Sequence, residues 1–251
     1  MKRYERLDDI RGITLCSMIL FHAVWDLVYI FGVDWRWFYT DAAYLWQQSI
    51  CWSFILLSGF CWSLGRRKLR RGLIVFGAGM IISFVTMVFM PAQQILFGVL
   101  TFLGAAALLL IVLEKYLKKL NPHLGAVGCG IVFLLLHGIN DGYLGIRNLV
   151  KLVSLPEEWY QMGQIGNFLG FTEKSFYSAD YFALFPWIFL YLTGYFLYGL
   201  MLQKGKLEKL AEQKSWGRFF NLVGKKSLII YMLHQPVVYG ILFALDKVGL
   251  L

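Results

Sequence analysis

The sequence predicts an all-α polytopic membrane protein, a bundle of about seven transmembrane helices. Hydrophobic residues make up 59% of its 251 residues and charged residues only 16%, whereas an average soluble domain has about a quarter charged residues. The mean hydropathy is +0.61. The apolar residues also occur in runs close to the ~20 residues that a helix needs to cross ~30 Å of hydrocarbon. The sequence shows no internal repeat, so we expect residues 1–251 to form a single transmembrane domain.

Seven apolar runs are candidate spans, of which the fifth is the shortest and ends in polar residues. They are Ile13–Phe31, Ala43–Leu64, Leu73–Met90, Ile95–Leu113, Leu124–Ile139, Phe182–Leu202 and Ser227–Leu245. The first run has a basic flank like that of a signal peptide. It lacks a small-residue cleavage site, so we expect it to be retained as a span.

Positive charges alternate along the chain and predict its orientation. If the N-terminus is inside, the four inner segments are residues 1–12, 65–72, 114–123 and 203–226. They contain 4, 5, 3 and 7 Lys and Arg residues, which is 19 of the 24 in the chain. Cytoplasmic loops are enriched in these two residues. The charges therefore predict a multi-pass protein of the inner (plasma) membrane, with its N-terminus inside and its C-terminus outside.

The net charge of +9 follows from this topology and gives no reason to expect nucleic acid as a partner. The basic cluster Arg66–Arg71 is expected to contact membrane lipid at the inner leaflet, and attraction of an anionic cytosolic ligand is the alternative. The cysteines lie inside predicted spans without a CxxC pair, so we expect neither a disulfide framework nor a metal cage. They are Cys16, Cys51, Cys61 and Cys129.

Ionisable residues inside the spans are the candidate functional residues, because hydrocarbon makes each of them costly unless it is paired or lines a cavity. His22 lies nine residues past Ile13, which places it ~14 Å into the bilayer at ~1.5 Å per residue. His234 lies seven residues into the last span. A buried histidine can also be a hydrogen-bonded packing residue. In a span, an idle histidine is expensive, so we interpret His22 as a functional residue.

Two His-x-x-x-Asp pairs are present, His22 with Asp26 and His137 with Asp141. Residues at i and i+4 share a helix face, and a carboxylate beside an imidazole can stabilise the imidazolium that forms during proton transfer. The two pairs could converge near the outer leaflet, although the second pair could simply be solvated. A metal site built from both pairs lacks a fixed set of four ligands, so we expect no metal.

The segment of residues 140–181 is the longest one outside the spans and is predicted to face outward. Loops of this length are commonly functional. Its stretch NLVKLVSL, residues 148–155, is expected to form a short amphipathic helix in the membrane interface. Asp180 lies at the mouth of the sixth span, where it is either a solvated cap or a contact for sugar hydroxyls. Pro186 fits the first turn of that span.

Four sequence blocks together resemble the heparan-α-glucosaminide N-acetyltransferase catalytic-domain family in its short bacterial form. They are RLDDIRGITLCSMILFHAVWDL, QQILFGVLTFLG, FYSADYFALFPWIFLYLTGYFLYGL and GKKSLIIYMLHQPV, which begin at residues 6, 93, 176 and 224. Arg11 and His22, separated by ten residues, also resemble the Arg-x10-His signature of the wider transmembrane acyltransferase superfamily.

The resemblance implies transfer of an acetyl or other acyl group from cytosolic acyl-CoA, with acetyl-CoA as donor, to a hydroxyl or amine of a glycan outside. His22 would be the catalytic base or acyl carrier, supported by Asp26. Arg11 and Lys226 would contact the donor, and His234 would line its tunnel or support His22. On the outer side, the acceptor would meet His137, Asp141 and Asp180.

The sequence departs from many members of that family by having Thr101 where they have a histidine, and it is shorter than the eukaryotic enzymes. We therefore expect a bacterial wall or surface glycan as acceptor rather than heparan. The alternative function is a small proton-coupled transporter that uses the intramembrane His/Asp pairs. The sequence lacks the inverted halves and broken helices of secondary transporters. A homo-oligomer is left open.

Overall fold

The computed structural model describes residues 4–147 and 149–251, and these residues are mainly α-helical. The described part contains ten α-helices and one antiparallel hairpin. The helices are α1 Glu5–Tyr29, α2 Asp41–Trp62, α3 Lys68–Phe89, α4 Val99–Leu117, α5 Pro122–Leu135, α6 Gly163–Leu169, α7 Trp187–Gln203, α8 Lys206–Glu212, α9 Arg218–Lys225 and α10 Ser227–Lys247. The strands are β1 Tyr143–Ile146 and β2 Val150–Ser154.

Five segments of the described chain are long and apolar enough to cross a membrane: α1, α3, α4, α10 and Pro122–Asp141, which contains α5. Helix α7 is apolar but has only 17 residues, and α2 has 22 residues. The prediction of an all-α membrane protein is confirmed. Seven spans and their orientation stay predictions.

The structure divides into two compact units, which are described separately. The first comprises Met1–Phe54 and Gly205–Leu251, and the second comprises Ile55–Lys204. In the first unit, α1 packs against both α9 and α10. In the second, α3 packs against α4, and α5 packs against α7. The first unit therefore combines the two ends of the sequence.

Helices α1 and α9 pack so closely that their backbones are in contact. A Cβ atom at Gly12 would overlap the carbonyl oxygen of Phe220, and one at Gly224 would overlap that of Asp8. Small residues are what allow membrane helices to pack this closely. The two glycines thus fix where α9 crosses the start of α1.

A buried carboxylate also ties the start of α1 to the loop before α9. Asp9 is fully buried and accepts hydrogen bonds from Ser215 Oγ at 2.7 Å, the Trp216 backbone N–H at 2.7 Å and Asn221 Nδ2 at 3.1 Å. Glu5 Oε2 accepts the Ser215 backbone N–H at 2.9 Å. Buried polar groups need partners of this kind, so these bonds hold the α1–α9 junction in one arrangement.

In the second unit, α2 ends beside α4 and α3. Trp62 Nε1 donates to the Ala107 carbonyl at 2.9 Å. Lys68 Nζ lies 3.7 Å from the centroid of the Trp62 ring and 2.9 Å from Glu114 Oε1. A cation over an indole face and an ion pair reinforce each other here. This cluster fixes the start of α3 and the end of α4 relative to Trp62.

The segment between α5 and α7 contains the hairpin instead of the amphipathic helix expected over residues 148–155, so that prediction is wrong. Strand β2 pairs with β1, with Leu144 opposite Val153 and Ile146 opposite Val150. Asn148 lies outside the described residues. Two β-branched valines favour a strand, and the preceding residues Tyr143–Ile146 supply an antiparallel partner only a short turn away.

Several helix ends differ from the predicted spans. Helix α1 begins at Glu5, eight residues before the predicted Ile13. Helix α7 begins at Trp187 rather than Phe182, directly after Pro186. The residue before a proline is disfavoured in helical conformation, which explains the later start. The length of an apolar run indicates how much of the chain can lie in the hydrocarbon of the bilayer. Where the helix begins and ends depends on local backbone chemistry.

Candidate active site

Helices α1 and α10 bring His22 and His234 together. Their ring centroids are 4.9 Å apart, with the ring planes inclined by 56°. Both side chains are half-buried, and both helices are candidate spans. The residue pattern singled out each histidine separately, and the resemblance alone implied that His234 could support His22. The structure places them side by side, although 211 residues lie between them in the chain.

The hydrogen bond of His234 fixes its tautomer. Nδ1 lies in hydrogen-bond contact with the backbone carbonyl of Tyr231, one turn earlier on α10. A carbonyl can only accept, so Nδ1 carries the hydrogen and Nε2 of the neutral ring is an acceptor. Nε2 is buried and has no hydrogen-bond partner among the described residues. His234 therefore offers a proton-accepting nitrogen close to His22.

Asp26 forms its hydrogen bond across to α10. The side chain is fully buried, and its Oδ1 accepts from Gln235 Nε2 at 2.8 Å. Sequence reasoning expected Asp26 to stabilise an imidazolium on His22, and its hydrogen bond in the structure is instead with Gln235. The carboxylate thus joins the two helices one turn beyond His22.

Gln235 was missed by the sequence reasoning. Its signal in the sequence is an amide directly after His234 inside an apolar span, followed by Pro236. An amide in hydrocarbon needs partners as much as a histidine does. Its partner Asp26 lies 209 positions away, and nothing in the local pattern indicates that pairing.

Arg11 lies on α1 before His22. Its Nη1 is 3.1 Å from Asp8 Oδ1, and 22% of its side chain is exposed. Eleven residues of helix amount to about three turns and ~17 Å, so Arg11 and His22 lie on nearly the same face. Lys226 is exposed between α9 and α10. Both cations belong to the first unit.

Asp141 and His137 belong to the second unit and have other neighbours there. Asp141 forms a bidentate ion pair with Arg147, with Nε–Oδ2 2.7 Å and Nη2–Oδ1 3.1 Å. His137 is buried, and its ring centroid lies 5.4 Å from that of Phe133 and 6.2 Å from that of Trp187. The Asp141 carboxylate is therefore directed to a guanidinium on the hairpin.

The Tyr160 phenol holds the backbone near the ion pair of Asp141 and Arg147. Tyr160 donates its hydroxyl to the Ile139 carbonyl at 2.5 Å. Burial, together with the Asp141 carboxylate, raises the pKa of Tyr160. The phenol therefore remains protonated and keeps donating. The bond fixes the turn that carries Asp141.

Asp180 lies at the start of α4 in the second unit. Its Oδ2 accepts the Val99 backbone N–H at 3.3 Å. A carboxylate at a helix N-terminus satisfies an orphan N–H and interacts favourably with the helix dipole. Ser178 supports this contact by bonding to both the N–H and the carbonyl of Leu96 at 2.9 Å. Asp180 is thus a cap for α4, and its contact with sugar hydroxyls stays a prediction.

The described residues contain no group of three or more His, Cys, Asp or Glu side chains that could hold a metal ion. In the first unit, two pairs of polar side chains meet between α1 and α10: the imidazoles of His22 and His234, and the Asp26 carboxylate with the Gln235 carboxamide. Such a set can accept a proton and hydrogen bonds from a hydroxyl or an amine. It has the chemistry of a general base.

Comparison with known families gives one result. The family model described as "Heparan-alpha-glucosaminide N-acetyltransferase, catalytic" matches residues 3–236. The matched region includes His22, Asp26, His234 and Gln235. No curated protein and no solved structure matches the chain.

Proposed function

The chain belongs to the heparan-α-glucosaminide N-acetyltransferase catalytic family, and from this premise we propose that it transfers acetyl groups across the inner membrane. The donor is acetyl-CoA on the cytosolic side. The acceptor is a hydroxyl or amine of a glycan on the outer side. The observation that carries this proposal is the His22–His234 pair, whose ring centroids are 4.9 Å apart between two candidate spans.

His22 is the proposed base. As the acceptor oxygen or nitrogen attacks the thioester carbonyl, a ring nitrogen of His22 takes the hydrogen from that atom. The C–S bond then breaks, the protonated His22 gives its hydrogen to the departing thiolate, and coenzyme A leaves as its thiol. A positioned base typically contributes about 10²- to 10⁴-fold in rate. The alternative role, in which His22 itself carries the acetyl group, uses the same nitrogen.

His234 supports His22 in this proposal. Sequence reasoning left two roles for His234, lining the donor tunnel or supporting the base. Its ring lies within contact distance of His22, and its Nε2 is an acceptor without a partner among the described residues. Both observations favour support, because Nε2 can hold an N–H of His22 and orient that ring.

Arg11 and Lys226 are the proposed donor contacts. Coenzyme A carries several phosphate charges and is made in the cytosol. A guanidinium is always charged and matches phosphate geometry. Arg11 lies ~17 Å before His22 along α1, which leaves room for an extended pantetheine arm between the phosphates and the thioester. The excess of positive charge in the predicted inner segments supports the same side for the donor.

On the outer side, Asp141 is the proposed contact for sugar hydroxyls. Its side chain is 36% exposed beside Arg147, and carboxylates accept hydroxyl hydrogens readily. His137, which is buried, and Asp180, which caps α4, are the other two proposed contacts for the acceptor. Among the described residues, no observation favours the proton-coupled transporter.

The test compares the parent protein with His22→Ala in detergent, using labelled acetyl-CoA and bacterial surface glycan. We expect His22→Ala to lose about 10²- to 10⁴-fold in transfer rate, while it still binds acetyl-CoA in calorimetry. His123→Ala is the matched control, because His123 is exposed in the first turn of α5. If His22→Ala keeps about a third of the activity or more, the residue is structural and base catalysis by it is wrong.

A further inference from the structure

Asp26 is a buried carboxylate without an ion pair among the described residues. It is fully buried on α1, which is a candidate span. Its single described hydrogen bond comes from a neutral amide, and its Oδ2 has no partner in the described part of the chain. A buried carboxylate in this state is costly. The arrangement therefore provides free energy for binding a group that donates hydrogen bonds.

Gln235 presents a second oxygen of the same kind. Its Nε2 is directed to Asp26 Oδ1 at 2.8 Å, so its Oε1 points away from that contact. Oε1 is also buried without a partner among the described residues. Asp26 Oδ2 and Gln235 Oε1 are thus two buried acceptor atoms at the α1–α10 contact that have no donor among the described residues. Only a group that brings N–H or O–H hydrogens satisfies such a set.

The depth of these oxygens indicates which substrate they meet. Along α1 the order is Arg11, His22 and then Asp26. Asp26 lies one turn, ~6 Å, farther from the donor contacts than the base does. In the proposed orientation, this is the side from which the acceptor arrives.

We propose that Asp26 Oδ2 and Gln235 Oε1 form the subsite that binds the hydrogen-bond donors of the acceptor and thereby positions its nucleophile at His22. The inference rests on the proposed function. The nucleophilic atom gives its reacting hydrogen to His22. A second N–H of an amine, or the hydroxyl next to a reacting hydroxyl on a sugar, donates to Asp26 and Gln235. These two residues thus determine where the acceptor is held.

The experiment measures steady-state kinetics in detergent with acetyl-CoA and two probes. Methyl α-glucosaminide offers an amine and hydroxyls, and methyl α-glucoside offers hydroxyls alone. Asp26→Asn replaces the oxygen that would accept from the sugar with an N–H donor. Gln235→Met removes both polar atoms of the carboxamide and keeps a side chain of similar size. We expect each to raise the KM of whichever probe the parent acetylates roughly 10- to 100-fold, with the KM of acetyl-CoA unchanged.

A double variant that exchanges the two side chains tests the inference even if a single variant is unstable. In the double variant Asp26→Asn with Gln235→Glu, the new amide donates to the new carboxylate. The pair again presents one carboxylate oxygen and one amide oxygen. We expect the swap to restore the KM of the sugar probe to within about threefold of the parent, since the same acceptor atoms are present.

The outcomes separate this inference from the proposed function. Absence of transfer from acetyl-CoA to any surface glycan by the parent protein overturns the proposed function itself. If the parent is active but the variants change only thermal stability, or only the KM of acetyl-CoA, then the oxygens hold a water or a proton and the subsite is wrong. A raised KM for the sugar probe that the swap reverses supports the subsite.

Discussion

At the scale of single residues, the proposed chemistry depends on His22, an imidazole inside a candidate span whose place in an apolar run singles it out. The cost of an idle imidazole in hydrocarbon is a property of that position alone. The bond between Asp26 and Gln235 was not predictable, because it joins residues 209 positions apart. Local spacing suggested His22 as the partner of Asp26, since both lie on one helix face. Tertiary packing supplied a competing partner from α10.

Arg11→Ala is expected to weaken acetyl-CoA binding at least tenfold, because a lost charge-assisted hydrogen bond to phosphate costs about 1.5–3 kcal/mol. Calorimetry with acetyl-CoA measures the effect. The matched control is Arg36→Ala. Arg36 lies in the same unit and pairs with Asp34 at 3.5 Å, but its side chain is 90% exposed and lies on the predicted outer side. Equal affinity in Arg11→Ala and the parent would remove Arg11 from the donor site.

At the scale of helices, the apolar runs located each long helix, while the helix ends followed local chemistry. Proline and glycine precede two of the helix starts: α7 starts after Pro186, and α4 starts after Gly98. The hairpin of β1 and β2 was missed for a related reason. In residues 148–155 the apolar pattern fits both an interfacial helix and a strand, and the nearby partner strand decided between them.

Gly12→Ala is expected to destabilise the first unit by about 1–3 kcal/mol, the usual cost of overpacking. The added methyl group would overlap the Phe220 carbonyl oxygen on α9, and a backbone atom cannot move aside as a side-chain end can. Thermal unfolding in detergent, followed by circular dichroism, measures the change.

The control for this helix contact is Gly240→Ala in α10. A Cβ atom there has open space, and alanine favours helix by up to about 1 kcal/mol over glycine. We expect that variant to unfold at or slightly above the parental temperature. A parental melting temperature for Gly12→Ala as well would show that α1 and α9 do not depend on this close approach.

At the scale of the whole molecule, composition was sufficient for the fold class, and charge alternation predicts the topology. Five segments among the described residues meet the length and hydropathy of a span. Helix α7 is shorter than a typical span, and the first half of α2 contains the polar residues Asp41, Gln47 and Gln48. Seven crossings therefore depend on these two helices. The division into two compact units could not be read from the sequence, because it joins both ends of the chain in one unit.

Cysteine labelling of intact cells tests the topology. Glu158→Cys, in the exposed segment after the hairpin, should react with a membrane-impermeant maleimide in intact cells. Lys119→Cys, exposed between α4 and α5, should react only after permeabilisation. The four native cysteines lie in predicted spans, so the parent serves as the blank. The opposite pattern at these two sites would reverse the orientation.

The hydrogen bond between Asp26 and Gln235 also has an evolutionary consequence. Since each side chain would leave the other buried and unsatisfied if it changed alone, substitutions at the two positions should be coupled across homologues. An alignment of the family should show them covarying, with an acid at one position matched by an amide at the other, including lineages in which the two have exchanged places. Independent variation at the two positions would mean that the helices tolerate either side chain without its partner.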